Sequence, residues 1–186
     1  MTTTFRRYLV RCLVLILPLT GFPSHAQGLL AWHWRNPLPQ GDELRGVAHG
    51  NGTFVAVGER GVVFKSPDGV VWSQQPSLTN SLFEVTFANG LFVAVGGEFT
   101  ATTSFSGDVL TSPDGTVWTK RDSDTTQPLT GVAAGAGRFV VVGPRLVYSV
   151  SGDGLTWANH PGPRANSIAF GAATFVAAGD NGSIST

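Results

Sequence analysis

Three acidic residues recur in one local setting. They are Asp68 in Ser66-Pro67-Asp68-Gly69, Asp114 in Ser112-Pro113-Asp114-Gly115 and Asp153 in Ser151-Gly152-Asp153-Gly154. Each glycine is followed three residues later by a tryptophan, giving Trp72, Trp118 and Trp157. A pair of carboxylates flanking one bond can cleave a glycoside as acid and nucleophile or as acid and base. Repetition points to a different role. An aspartate at a turn accepts N–H bonds from the residues just ahead, and the glycine takes the backbone angle that closes the turn. The indole then fills space between sheets. Carboxylates repeated once per module stand apart around an array, so Asp68, Asp114 and Asp153 are read as structural.

No other catalytic set emerges. No Gly-x-Ser-x-Gly elbow and no phosphate-cradling Gly-Lys-Ser/Thr loop occurs. Beyond residue 26 the histidines are His33, His49 and His160, without metal-ligand spacing. Asp122-Ser123-Asp124 begins like a calcium loop, but Gln127 stands where its turn glycine belongs and Ala133 where its bidentate acid belongs. The sequence therefore predicts no catalytic residue, no metal and no cofactor.

The repeat extends well past these turns. Four segments align: Phe54-Val55-Ala56-Val57-Gly58, Phe92-Val93-Ala94-Val95-Gly96, Phe139-Val140-Val141-Val142-Gly143 and Phe175-Val176-Ala177-Ala178-Gly179. Their phenylalanines step by 38, 47 and 36 residues. Asn-Gly between apolar runs, as at Asn89-Gly90, marks a two-residue hairpin turn, since both central positions need positive φ. Short strands at a period of this length mean a propeller or solenoid array. The first module reads as strands at about 44–49, 53–58, 62–66 and 70–75. The second strand is apolar on both faces, as befits a sheet held between neighbours. The fold class is all-β: four-stranded antiparallel blades, four blade-equivalents in all.

Residues 1–26 read as an export signal. Arg6, Arg7 and Arg11 precede a short apolar run, and Ser24-His25-Ala26 supplies the small residues of a cleavage site after Ala26. The apolar run is short of the roughly 20 residues that span a bilayer. The expected location is secreted or periplasmic, with no membrane insertion after cleavage. Residues 27–186 then form the repeat domain, with 9 basic and 12 acidic residues and no cysteine. Without cysteine the fold rests on packing alone. A near-neutral balance gives no electrostatic footprint for nucleic acid.

The repeated Ser-x-Asp-Gly-x-x-Trp resembles the Asp-box, or bacterial neuraminidase repeat, one residue shorter than its usual form. With its Phe-Val-Ala-Val-Gly partner it is similar to secreted bacterial β-propellers, a group that includes sialidase-like and photosystem II assembly-factor-like proteins. The resemblance covers roughly residues 32–186 and implies a propeller with a protein or glycan ligand. It implies a sialidase only if an arginine cluster, a tyrosine nucleophile and acidic partners are present. The family's Arg-Ile-Pro segment is absent, and Tyr148 is the sole tyrosine after the signal, on an apolar strand. A binding module is the preferred reading; a glycoside-hydrolase fragment and a structural spacer are the alternatives.

Trp34 lies 38 residues before Trp72, which places residues 30–34 at a fourth-strand position. That strand either completes the last sheet in a closed ring, giving a monomer, or belongs to a larger propeller, of which this array is the favoured reading as one part. Exposed sheet edges in a cut array favour association. In a propeller the second-to-third and fourth-to-first connections share one face. Here they hold Arg35, Arg60, Lys120, Arg121, Arg145 and Arg164 among 14 of the 21 charges after the signal. These six cations are the candidate binding residues. An eight-residue insertion in the second module, within the loop at 97–108, adds a candidate contact loop on the same face.

Overall fold

The computed structural model describes residues 41–78, 80–98, 106–145 and 147–186. The expected leader, the strand expected at 30–34 and Arg35 lie outside them.

Turn chemistry and alternation make four hairpins. β1 (Leu44–Gly50) turns through Asn51-Gly52 into β2 (Thr53–Gly58), with φ of 47° and 68° at the two central residues. β5 (Leu82–Ala88) and β6 (Leu91–Glu98) repeat this through Asn89-Gly90 at 52° and 75°. β9 (Gly131–Gly135) and β10 (Arg138–Val142) use Ala136-Gly137, while β13 (Ser167–Gly171) and β14 (Thr174–Ala178) use Ala172-Ala173 at 49° and 61°. Asparagine and glycine adopt this left-handed region readily; alanine adopts it only at a cost of about 1–2 kcal/mol per residue.

Third and fourth strands complete the sheets: β3 (Val63–Ser66) and β4 (Ser73–Gln75), β7 (Ser106–Ser112) and β8 (Thr119–Arg121), β11 (Val147–Ser151) and β12 (Ala158–Pro161). β15 (Ile184–Ser185) is the third strand of the last sheet. Three sheets run in the order β1-β2-β3-β4, β5-β6-β7-β8 and β9-β10-β11-β12, and the fourth is β13-β14-β15. All pairings are antiparallel. These are the blades of a β-propeller, here called blades one to four.

The structure corrects two boundaries. The fourth strand of the first module starts at Ser73 and not near residue 70, because the Val70 and Val71 amides are held by Asp68 and cannot join the ladder. The insertion in blade two is partly strand, with Gly97 paired to Gly107 and Glu98 to Ser106. Asp108 therefore lies within β7 and not in a loop, and Lys120 and Arg121 lie within β8.

The inner strands stack in series, β1 on β5, β5 on β9 and β9 on β13. Between blades one and two, Val55 and Val57 meet Phe92 and Ala94. Between two and three, Val93 and Val95 meet Phe139 and Val141. Val140 and Val142 continue the pattern against Phe175 and Ala177. Each central strand thus offers its valine pair to the following blade and its phenylalanine to the preceding one, which explains why both faces are apolar. On the inner strands Phe87 lies flat on Gly50 and Phe170 on Gly135, places where any Cβ would strike the ring. Two tryptophans also serve the preceding blade, while Trp72 packs on Ala56, Val62 and Phe64 of its own. Trp118 packs on the cluster of Val55, Val57 and Val63, and Trp157 on that of Val93, Val95 and Val109. At the two ends, Val47 is 63% and Ile184 75% exposed. β13 is not packed on β1, so the described residues do not close a ring.

Two outcomes follow for stability. Trp157, only 9% exposed, should cost about 3–5 kcal/mol when truncated to alanine, and half-buried Trp118 should cost less; urea unfolding of both variants checks the order. Replacing Ala172-Ala173 by Asn-Gly should relieve left-handed strain and raise stability by about 1–2 kcal/mol, read as a higher melting temperature.

Candidate functional site

The Ser-x-Asp-Gly turns form one end of the blades. In the first, Ser66 Oγ accepts the Gly69 N–H at 2.8 Å and donates to Asp68 Oδ1 at 3.1 Å. Asp68 Oδ1 accepts the Val70 and Val71 N–H groups at 2.8 and 2.9 Å, and Trp72 Nε1 donates to the Gly69 carbonyl at 3.1 Å. The same net holds Ser112, Asp114, Gly115 and Trp118, with Trp118 Nε1 3.2 Å from the Gly115 carbonyl. It recurs at Ser151, Asp153, Gly154 and Trp157. Backbone N–H groups stabilise the ionised carboxylate, so all three acids sit below their ordinary pKa. For Asp68 the leading cause is the Val71 amide, for Asp114 the Thr116 amide. For Asp153 the Thr156 amide leads, and the pKa falls to about 2. An acid held ionised by its own turn has no proton to donate near neutral pH, and its Oδ1 is taken up by backbone amides.

At the opposite end of blade two lies a polar cavity of about 390 Å³, lined by Gly107, Lys120, Arg121, Asp122, Ser123, Thr125 and Thr126. Asp108 lies beneath it, 2% exposed, ion-paired to Lys120 and hydrogen-bonded by Asn80 Nδ2. Arg121 Nε donates to Thr111 Oγ1 at 2.8 Å. The loop after β8 is held from within: Ser123 Oγ donates to the Gly107 carbonyl at 2.8 Å, and Asp122 Oδ1 accepts the Asp124 N–H at 3.0 Å. Asp122 and Ser123 are thereby used in shaping the loop. Among the described residues no group of three His, Cys, Asp or Glu side chains is placed to hold a metal ion.

Of the six candidate cations, Lys120 and Arg121 come together in this cavity. Arg60 sits on the β2–β3 turn in ion pair with Asp42. Arg145 and Arg164 are exposed on the β10–β11 and β12–β13 connections. They thus occupy separate blades, and Arg35 lies outside the described residues. Tyr148 is half-buried, its ring stacked on His160 at 5.2 Å between centroids.

Two charged residues went unread in the sequence. Arg45 Nη2 contacts Glu59 at 2.8 Å and Glu43 at 3.2 Å, with its guanidinium 5.5 Å from the Phe83 ring centre. Glu84, half-buried on β5, accepts the Val132 N–H at 3.2 Å on the neighbouring inner strand. Burial pushes its carboxyl above the ordinary value. Strand pairing aligns Glu84 with Gly46 and Gly131. Ser167 holds the same place in blade four, so an acid among small residues was the available signal.

No protein-family model and no curated protein sequence matches the chain. Solved structures match by fold. YCF48 bound to D1 peptide superposes with a TM-score of 0.60 at 19% identity, covering 84% of this chain and 55% of that one. The Pan2 WD40 domain of Neurospora crassa gives 0.57 at 10%, covering 77% and 46%. The computationally designed Ika4 protein gives 0.57 at 12%, covering 77% and 89%. The chain thus spans about half the length of the first two.

For Asp153 the pH dependence has a definite sign. Its folded pKa, about 2, lies below the ordinary 3.8, so its contribution is complete above the unfolded value and disappears as pH falls through the folded one. Urea midpoints should fall between about pH 5 and about pH 1, and the decline should be shallower in Asp153→Asn.

Proposed function

We propose that the chain is an exported, non-catalytic propeller module of the Asp-box type that binds a polypeptide on the face carrying the β6–β7 and β8–β9 connections. The observation that carries this reading is the polar cavity beside the extended β6–β7 hairpin. There Lys120 and Arg121 stand next to Asp122, with Ser123, Thr125 and Thr126 around them. Cations, an acid and hydroxyl side chains together suit a polar main chain better than an apolar small molecule. The D1 peptide in the YCF48 structure is support by analogy of fold. The acids of the box turns are spent on backbone amides, which supports a role without catalysis.

Capture from an envelope extract on the immobilised protein, run beside a glycan array, tests the proposal. Protein capture is expected, with at least tenfold loss in Arg121→Glu combined with Arg145→Glu at an unchanged melting temperature. Glycan binding without protein capture would overturn it. Turnover of chromogenic glycosides, abolished by changing a loop carboxylate, would overturn the non-catalytic part.

A further inference from the structure

Two hairpins of this chain turn through the same dipeptide and differ in one bond. Asn51-Gly52 joins β1 to β2 with φ of 47° and 68°, and Asn89-Gly90 joins β5 to β6 with 52° and 75°. All four residues are exposed, and nothing lies within 4 Å of where a Cβ on either glycine would stand. Asn51 Nδ2 donates to the Pro113 carbonyl in the box turn of blade two at 3.1 Å. By repeat position the matching carbonyl for Asn89 is that of Gly152 in blade three. Among the described residues Asn89 has no side-chain hydrogen bond. A third pair, Asn181-Gly182, sits in a 3-10 turn and not in a hairpin.

An asparagine followed by glycine can close on itself. The glycine nitrogen attacks the side-chain Cγ, and the new C–N bond makes a five-membered succinimide. Nδ2 leaves as ammonia, taking the proton that the glycine nitrogen gives up. Water then opens the ring. Attack at Cγ leaves aspartate; attack at the backbone carbonyl carbon leaves isoaspartate, whose main chain runs through the side chain. Water is the only co-reactant. Glycine has no side chain to shield its nitrogen, and asparagine is thermolabile. Ring closure has to swing Cγ toward the following nitrogen. At Asn51 the bond to Pro113 holds the amide against the neighbouring blade, departing nitrogen included. At Asn89 nothing holds it.

We propose that Asn89 is a site of spontaneous modification, converted through a succinimide to aspartate and isoaspartate, and that Asn51 is protected by its tether to blade two. This holds whatever the loop face binds. The consequence falls on the seam between blades one and two. The two-residue turn sets the register in which Ala88 pairs with Leu91 and Phe87 with Phe92. Isoaspartate adds one main-chain atom between those partners, so the turn no longer fits the ladder. Phe87 and Phe92 stand 4.6 Å apart between ring centres, Phe87 lies on Gly50, and Phe92 packs with Val55 and Val57. A misfit at residue 89 therefore reaches the apolar contacts that join two blades.

The experiment follows both sites in one sample. The full chain is incubated at mildly alkaline pH, native and in urea, then digested with trypsin, which places Asn51 in the peptide 46–60 and Asn89 in 66–120. Fragmentation mass spectrometry reads the replacement of the amide nitrogen by oxygen at each. In the native chain residue 89 should convert at least tenfold faster than residue 51, and urea should bring the two rates together. Asn89→Gly keeps a residue suited to positive φ. It should hold its melting temperature through the incubation, while that of the unmodified protein falls. Equal native rates, or a difference that persists in urea, would overturn the assignment. A melting temperature that stays level while isoaspartate accumulates at residue 89 would overturn its consequence for the seam.

Discussion

A thin sheet with two apolar faces cannot stand alone in water, and this constraint organises the chain. Each blade exposes a phenylalanine on one side of its central strand and valines on the other. Burial of those side chains exists only where a neighbour is present. Val55 and Val57 find Phe92; Val93 and Val95 find Phe139. Stability therefore belongs to the junctions between blades more than to the blades. At the two ends the same rule leaves Val47 and Ile184 facing solvent.

Polar groups are arranged around that constraint. The box turns satisfy their own amides with Ser and Asp side chains and so remain compact at the blade ends. Blade-to-blade polar contacts are fewer and placed at edges: Asn51 Nδ2 on the Pro113 carbonyl at 3.1 Å, Lys65 Nζ on Thr116 Oγ1 at 3.0 Å, Glu84 on Val132. At the loop end the buried Asp108 needs Lys120 and Asn80, since an unpaired buried carboxylate is costly. The cavity beside it is thus built by the same residues that relieve that cost.

Much of this was legible in the residues. The four Phe-Val segments locate the central strands, and the Asn-Gly turns at 51–52 and 89–90 locate the strands paired with two of them, because a short local code fixes a tight hairpin. The role of Asp68, Asp114 and Asp153 followed from repetition. What the sequence hid depended on contacts between distant segments. Asp108 looked like a loop residue because an insertion and a strand extension have the same composition. Lys120 and Arg121 looked free because their partners lie ten or more residues away on another strand. Ala172-Ala173 gave no turn signal at all; the hairpin there is imposed by the ladder on either side, against local preference.

The hydrogen bonds that close each box turn run between its serine and its tryptophan, yet Trp118 and Trp157 pack on the blade before. The unit that folds as a sheet and the unit that repeats in the sequence are therefore offset from each other. A segment exchanged at the box therefore brings one half of each of two junctions, since Trp118 and the Val55, Val57 and Val63 it packs on lie in successive repeats. Changing the number of repeats keeps its seams only because the valines and the indole recur from one repeat to the next, so that each new pair of halves still matches.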